Sequence, residues 1–316
     1  MEVIRSINQM KPLKGSVISV GNYDGIHLGH QDVLRYIVKT AKKQNIPSCV
    51  ITFDPNPAYV LSTNSRPMNL QDIDTKLSQL ESIGLDMVLI IPFTKEFSHM
   101  SAETFAEDVI KNLFNPSLIS VGENHYFGHK KKGDLSFLKA FCQKNNIILH
   151  TPEIRTLNKK IISSTVVRGL IAEGSLDKVP SLLGKFYGFN VVTVHGSNRG
   201  KSMNYPTANF LPISEYQMIP EHGVYLSRVF IEGEIYFGMT NIGYRPTFNE
   251  KKFVMEVHIL SDKFSDLYDK RFYIEFLNKI RNEIKFESKE YLIKQIENDK
   301  EVCIKLIDSF KEKYEI

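Results

Sequence analysis

The sequence has few cysteines, little net charge and no long apolar run, and each shortage excludes a class of protein. The cysteines Cys49, Cys142 and Cys303 are too few and too widely spaced for a disulfide framework or a zinc site, so we expect three buried apolar side chains. The formal net charge of +4 gives no reason to expect nucleic acid or an anionic membrane as a partner. No stretch approaches the roughly 18 apolar residues of a membrane span, and residues 1–12 lack the pattern of a secretory signal. We therefore expect a cytoplasmic protein.

The chain is long enough for two globular cores. At roughly 100–200 residues per domain, its 316 residues predict two domains. A content of 42% hydrophobic and 24% charged residues is that of an ordinary globular protein. The residue pattern changes near Leu183 and Gly184, which predicts domains at 1–183 and 184–316.

In the first half, short apolar runs alternate with segments of helical periodicity. Apolar spacing predicts one helix over about residues 30–43 and another that ends before Gly84. Strands and helices in alternation favour a doubly wound, Rossmann-like α/β domain. The predicted strands are Ser16–Val20, Cys49–Phe53, Met87–Ile91, Leu118–Gly122 and Ile147–His150.

The second half is richer in β-branched and aromatic residues, which predicts a small antiparallel β-barrel or a sandwich. Glu232 and Gly233 form a predicted hairpin turn, and a helix is expected over about Ser288–Lys311. The predicted strands are Tyr187–His195, Val224–Ile231, Glu234–Thr240, Phe253–Ile259 and Phe272–Leu277.

A glycine-rich segment with two histidines, Gly21–His30, lies between the first predicted strand and helix. Loops in this place bind phosphates in α/β domains, because the helix N-terminus offers unpaired N–H groups. His27 and His30 can donate hydrogen bonds to oxygens that gain charge in phosphoryl chemistry. Either histidine alone is more often structural, but the whole arrangement favours nucleotidyl transfer. The candidate nucleotide-binding positions are Gly21, Asn22, Asp24 and Gly25.

A second segment, Ile162–Arg168, combines hydroxyl side chains with an arginine at a predicted helix start. Serine and threonine are common N-caps, so the hydroxyls alone carry little weight. Arg168 on the first turn can reach the same anion as the helix N–H groups. The candidate anion ligands are Ser163, Ser164, Thr165 and Arg168.

Together with Thr52–Pro57, these two segments resemble the FAD synthetase branch of the HxGH nucleotidyltransferase superfamily. The resemblance implies that the histidines and Arg168 hold ATP phosphates while the FMN phosphate attacks and pyrophosphate leaves with Mg²⁺. Residues 121–134 resemble the flavin and nucleotide loop of that family, which implies a nucleotide contact for Asn124. The lysines at 130–132 read as a solvated loop, with an FMN phosphate contact as the alternative. The chain departs from the family at Tyr23, Asn56, Asn124 and His125.

In the second half, a strand leads into a glycine-containing loop that ends in Pro206–Asn209. Loop N–H groups can bind phosphates, and the Thr207 hydroxyl and Asn209 amide oxygen suit Mg²⁺. The segment closely resembles the PTAN motif of riboflavin kinases, which implies that Thr207 and Asn209 bind the metal beside ATP. The implied phosphate-binding loop residues are Gly196, Gly200 and Lys201, and the departures from the family are Lys201 and Asn204.

Glu256 lies in a predicted strand, where alternation places it on the face opposite Val257. Without the family resemblance, Glu256 would be interpreted as a solvent-facing glutamate. The resemblance implies instead the general base that takes the proton of the riboflavin 5′-hydroxyl. It also implies that Arg281 lies near flavin and nucleotide.

The sequence as a whole therefore predicts riboflavin kinase and FMN adenylyltransferase activities on one chain. Its ligands would be riboflavin, FMN, FAD, ATP and Mg²⁺, and we expect a monomer or weak homo-oligomer. Three alternatives stay open: a single retained activity, a non-catalytic flavin-binding regulator, and a transferase for another substrate. The last would explain only the first half.

Overall fold

The computed structural model describes residues 1–62, 68–194, 205–246, 251–261 and 270–314. The chain divides into two compact units, Met1–Ser164 and Thr165–Ile316. Residues 165–183, predicted to belong to the first domain, cluster with the second unit.

The first unit is built on a sheet of six parallel strands, in the order β1-β4-β3-β2-β5-β6. The strands are β1 Glu2–Ile4, β2 Ser16–Val20, β3 Ser48–Asp54, β4 Met87–Pro92, β5 Pro116–Ser120 and β6 Ile148–His150. All five residues of β2 are buried, as expected of a strand covered on both faces. The strand order changes direction between β2 and β5, and ligands of doubly wound sheets bind at such a point.

Helices flank this sheet. They are α1 Leu28–Gln44, α2 Pro57–Leu61, α3 Ile73–Ile83, α4 Ala102–Thr104 with its π-helical continuation Phe105–Phe114, and α5 Leu135–Lys144. Single turns lie at Ile7–Gln9, Phe97–His99 and His129–Lys131, and a small hairpin joins β7 Thr156–Leu157 to β8 Lys160–Ile161. The predictions of α1 and α3 are confirmed. The helices over 102–114 and 135–144 were not predicted, although both bury a regular apolar face.

The second unit contains a closed antiparallel barrel of six strands, in the order β10-β13-β12-β11-β14-β9. The strands are β9 Tyr187–Val194, β10 Ala208–Pro212, β11 Gly223–Ile231, β12 Glu234–Pro246, β13 Lys251–Ile259 and β14 Arg271–Arg281. The barrel prediction is thus confirmed against the sandwich. Glu232 (φ 53°) and Gly233 (φ 86°) form the predicted hairpin turn, since positive φ at both positions matches the twist of the flanking strands. The sequence does not predict strand β10, because the motif around it has the pattern of a loop.

Helices complete the second unit. They are α6 Ser164–Ala172, which begins at the last residue of the first unit, α7 Pro180–Leu183 and α8 Lys289–Tyr314, with a single turn at Leu176–Lys178. From α8, Cys303, Ile307 and Phe310 pack into one cluster with apolar residues of β11, β12 and β14. Burial of this face explains why the predicted helix is helical despite its many charges.

The three cysteines are free and buried, as predicted. Burial raises the pKa of the Cys49 thiol to about 12, that of Cys142 to about 11 and that of Cys303 to about 12. Their thiolate forms are therefore scarce at neutral pH.

Two candidate active sites

The loop after β2 turns sharply to bring His27 to the start of α1. Tyr23 (φ 49°), Gly25 (φ 82°) and Ile26 (φ 41°) all have left-handed backbone conformations. Glycine adopts this conformation freely, but Tyr23 and Ile26 hold it at a cost that their burial offsets. His27 caps α1, and its Nδ1 accepts the backbone N–H of His30 at 3.3 Å. The loop therefore has a defined shape at the switch point of the sheet.

The two predicted catalytic histidines form a stacked pair. Their ring centroids lie 3.6 Å apart, with an angle of 17° between the rings. Burial lowers the pKa of His27 to about 4 and holds the pKa of His30 well below its usual value, to which the charge of Lys76 contributes. Because Nδ1 of His27 accepts a hydrogen bond, the proton of its neutral ring is assigned to Nε2. Two neutral hydrogen-bond donors thus lie side by side at neutral pH.

Asp24 and Ser164, both predicted site residues, tie the loop to its surroundings. Asp24 Oδ1 accepts the backbone N–H of Leu70 at 2.9 Å, and the Asp24 carbonyl accepts the Ser164 hydroxyl at 2.8 Å. The structure therefore brings Gly21–Gly25, the histidines and Ser164 together within the first unit. Ser163 is half-buried beside them in sequence, whereas Thr165 and Arg168 lie on α6 in the second unit.

A polar cleft adjoins the loop, and sequence reasoning missed its most unusual residue, Lys76. The Lys76 ammonium is buried on α3 and donates to the Asn22 carbonyl at 2.9 Å. The sequence held a signal: Lys76 interrupts the apolar face that Ile73, Leu77 and Leu80 form at helical spacing. The cleft is lined by Asn22, Asp24, Phe53, Asp54, Asn56, Asn69, Gln71, Ile73 and Lys76.

Two departures from the FAD synthetase pattern have structural partners here. Asn56 caps α2 through the backbone N–H of Ala58 at 3.1 Å and donates to Asn69 Oδ1 at 3.2 Å. The buried Tyr23 hydroxyl is hydrogen-bonded to Ser19 Oγ. Both side chains therefore stabilise the loops in which they stand.

The other two departures lie in the loop after β5. Asn124 is exposed, while His125 has a buried Nε2 without a hydrogen-bond partner in the described part of the chain. Burial lowers the pKa of His125 to about 4. Lys130 and Lys131 are exposed, as the solvated-loop interpretation expects. The nucleotide contact of Asn124 stays a prediction.

The second candidate site lies on the barrel. Glu256 of β13 is paired with Asn209 of β10 on one side and with Asn241 of β12 on the other. Paired residues on neighbouring strands project from the same face, so three polar side chains adjoin one another. The Thr207 hydroxyl donates to Glu256 Oε2 at 3.0 Å. Val257 is fully buried while Glu256 is half-buried, which confirms the predicted alternation.

These residues form an oxygen-rich group. The Thr207 hydroxyl gives its hydrogen to Glu256, which leaves its lone pairs available, and Asn209 adds an amide oxygen. Neutral oxygens beside one carboxylate fit Mg²⁺, which keeps several waters. Across the described residues, no three histidine, cysteine, aspartate or glutamate side chains cluster as a metal site. The predicted loop residues Gly196, Gly200 and Lys201, with Asn204, lie outside the described residues.

Arg281, a predicted flavin or nucleotide contact, is engaged by a carboxylate. Its Nε lies 2.9 and 3.0 Å from the oxygens of Asp299 on α8, and its Nη2 lies 2.8 Å from Oδ2. The Asp299 side chain is almost fully buried and also accepts from Gln295 at 2.8 Å. In this conformation Arg281 attaches the end of β14 to α8. The sequence did not indicate a role for Asp299, because an acidic residue in a helix rich in charges is expected to be exposed to solvent.

Comparisons with known proteins match both units. A family model described as FAD synthetase matches residues 9–166, and one described as riboflavin kinase matches residues 183–307. The bifunctional riboflavin kinase/FMN adenylyltransferase of Haemophilus influenzae is 34% identical over 305 residues, covering 96% of this chain and 98% of its own. That of Escherichia coli is 33% identical over 302 residues, covering 95% and 96%.

A solved structure extends the likeness to the whole fold. A crystal structure described as a macrolide-efflux protein from Streptococcus pneumoniae has a TM-score of 0.85 and 28% identity, covering 96% of this chain and 99% of that one. Within the residues described for this chain, no helix is long and apolar enough to cross a membrane.

Proposed function

The chain belongs to the family of bifunctional riboflavin kinase/FMN adenylyltransferases, and we propose that each unit carries the site of one reaction. It phosphorylates riboflavin to FMN and adenylylates FMN to FAD, with ATP as donor in both steps. The observation that carries this conclusion is the presence of both family domains on one chain. The stacked histidines in the first and the Thr207–Glu256 pair in the second support the assignment of sites.

For adenylylation, we assign the histidine pair to the phosphates of ATP. An oxygen of the FMN phosphate attacks the α-phosphorus, the bond from the α-phosphorus to the bridging oxygen breaks, and pyrophosphate leaves. His27 and His30, neutral because they are buried, donate hydrogen bonds to the oxygens that gain charge. The unpaired N–H groups at the start of α1 add to this stabilisation. No covalent enzyme intermediate is needed, since the phosphate is itself the nucleophile.

For phosphorylation, we assign Glu256 as the general base. It takes the proton of the ribityl 5′-hydroxyl as that oxygen attacks the γ-phosphorus, and ADP leaves. The hydrogen bond from the Thr207 hydroxyl to Oε2 orients the carboxylate. Thr207 and Asn209 would hold Mg²⁺, which when bound neutralises charge on the ATP phosphates.

The remaining assignments follow the family resemblance. Ser163, Ser164, Thr165 and Arg168 are proposed ligands of ATP phosphates, and the glycine-containing loop with Lys201 is proposed to do the same for the kinase. Contact of Arg281 with flavin or nucleotide would require it to exchange its bond with Asp299. A cytoplasmic, monomeric or weakly oligomeric enzyme stays a proposal.

A chromatographic assay with ATP and Mg²⁺ tests this function. With riboflavin alone the protein should form FMN and then FAD, and with FMN alone it should form FAD. Glu256→Ala should abolish only FMN formation, and His30→Ala only FAD formation. If either variant loses both activities while both units stay folded, the assignment of one site to each unit is wrong. A wild-type protein that binds flavin without forming product would favour the regulator.

A further inference from the structure

The cleft beside the histidine loop contains a buried ammonium that the scheme above does not use. Lys76 is 6% exposed, and its one hydrogen bond to a described residue goes to the Asn22 carbonyl. An ammonium has three N–H donors, so two remain for another partner. Removing this charge from water is costly unless something nearby compensates it.

The charges around Lys76 offset this cost only in part. Burial lowers the pKa of Lys76, while the carboxylates of Asp24 and Asp54 act in the opposite direction. Among the ion pairs of the described residues, none within 4.0 Å joins Lys76 to either carboxylate. The ammonium is therefore stabilised at a distance and not bound directly by either acid.

The cleft also contains two hydrogen-bond acceptors without a partner among the described residues. Gln71 is 3% exposed, and its Nε2 donates to the Tyr23 carbonyl at 3.2 Å, which fixes the orientation of the amide. Its Oε1 is buried and has no hydrogen-bond partner among the described residues, and the same holds for Asn22 Oδ1. Buried amide oxygens without partners are rare and costly, so a molecule that supplies donors would be favoured here.

A ligand that matches this cleft would present an anion next to hydroxyl donors. We propose that the cleft binds the ribityl phosphate of FMN, with the phosphate on Lys76 and ribityl hydroxyls on Gln71 and Asn22. This inference rests on the proposed adenylylation and assigns its nucleophile a site. Lys76 also acts on His30 electrostatically, so the phosphate would lie beside the histidine pair that receives ATP. Without the Lys76 ammonium, the carboxylates of Asp24 and Asp54 would repel the FMN phosphate.

Steady-state kinetics of FAD formation test the proposal. Lys76→Met should raise the KM for FMN about 10- to 100-fold, the loss expected for a charge-assisted hydrogen bond, and leave the KM for ATP within about twofold. Lys76→Arg should recover part of the loss, because it restores the charge. Lys39→Met, at an exposed lysine of α1, is the matched control and should change neither constant.

The Michaelis constant that changes shows whether Lys76 binds the phosphate of FMN or the phosphates of ATP. A rise in the KM for ATP with no change for FMN would assign Lys76 to the nucleotide and overturn the proposal. Equal losses in the methionine and arginine variants, with lower thermal stability, would show a structural lysine and overturn it too. If Lys76→Met does not fold, inorganic phosphate titrated into the wild type must compete with FMN and not with ATP.

The same samples separate this inference from the proposed function. A wild type that forms no FAD from FMN and ATP contradicts the adenylylation itself. A wild type that forms FAD, beside a folded Lys76→Met with an unchanged KM for FMN, contradicts only the role of Lys76. Phosphorylation of riboflavin should be equal in all these proteins.

Discussion

Replacing Glu256 by glutamine tests whether the Glu256 side chain acts as a general base or has only a structural role. Glutamine has the same shape and keeps an oxygen that can accept a hydrogen bond from the Thr207 hydroxyl. In the wild type, that hydroxyl oxygen lies 3.0 Å from Glu256 Oε2. Glutamine cannot take a proton from the ribityl 5′-hydroxyl. General base catalysis typically contributes about 10²–10⁴-fold, so kcat for FMN formation should fall by about that factor, or roughly 3–5 kcal/mol in activation free energy.

The assay follows FMN formation and FAD formation in the same protein. FAD formation from supplied FMN should stay within about twofold of the wild type, because Glu256 belongs to the second unit. Thr207→Val, which removes the hydrogen bond and a proposed metal ligand, should also raise the Mg²⁺ concentration needed for half-maximal rate. If Glu256→Gln phosphorylates riboflavin within threefold of the wild-type kcat, Glu256 is not the base.

Three further outcomes concern stability. The pKa of His27 is about 4 when folded and about 6.5 when unfolded, so the unfolded chain binds more protons between these values; up to about 3 kcal/mol of stability should be lost as pH falls from 6.5 to 4. His27→Asn, which keeps a helix cap, should remove only this share of the pH dependence in urea unfolding followed by circular dichroism, because burial also lowers the pKa values of His30 and His125. Arg281→Met leaves the buried Asp299 carboxylate unpaired and should cost the second unit about 3–5 kcal/mol, with part recovered by adding Asp299→Asn. Tyr23→Phe should cost about 1 kcal/mol and preserve FAD formation, since Ser19 keeps a backbone carbonyl of β5 as acceptor. A loss of more than 3 kcal/mol would mean that the Tyr23 hydroxyl supports the whole loop.

Much of the fold follows from local pattern. Continuous apolar runs predicted the parallel strands, and the apolar stripe over 33–41 predicted α1, because burial against one sheet decides both. Strand β10 escaped prediction because Ala208–Pro212 has little intrinsic β character and becomes a strand by pairing with β9 and β13. Sheet order is likewise set by contacts between distant residues, which no local pattern encodes.

The candidate sites were predictable where residue type and chain position coincide. The histidines follow a strand and begin a helix, and Thr207 lies two residues from Asn209, so short spacing indicated both groups. Lys76 and Asp299 were not found, because each lies on a helix far along the chain from its partner. Their roles depend on burial, and burial of a charged side chain is a property of the folded chain.

The burial of every cysteine makes the native protein inert toward thiol-directed dyes. With Cys49 and Cys142 in one unit and Cys303 in the other, a single cysteine introduced at an exposed position of each unit would be the sole reactive thiol there. Two fluorophores could then be attached without removing any natural residue. Energy transfer between them would report how the separation of the two units responds to ATP and flavin during turnover.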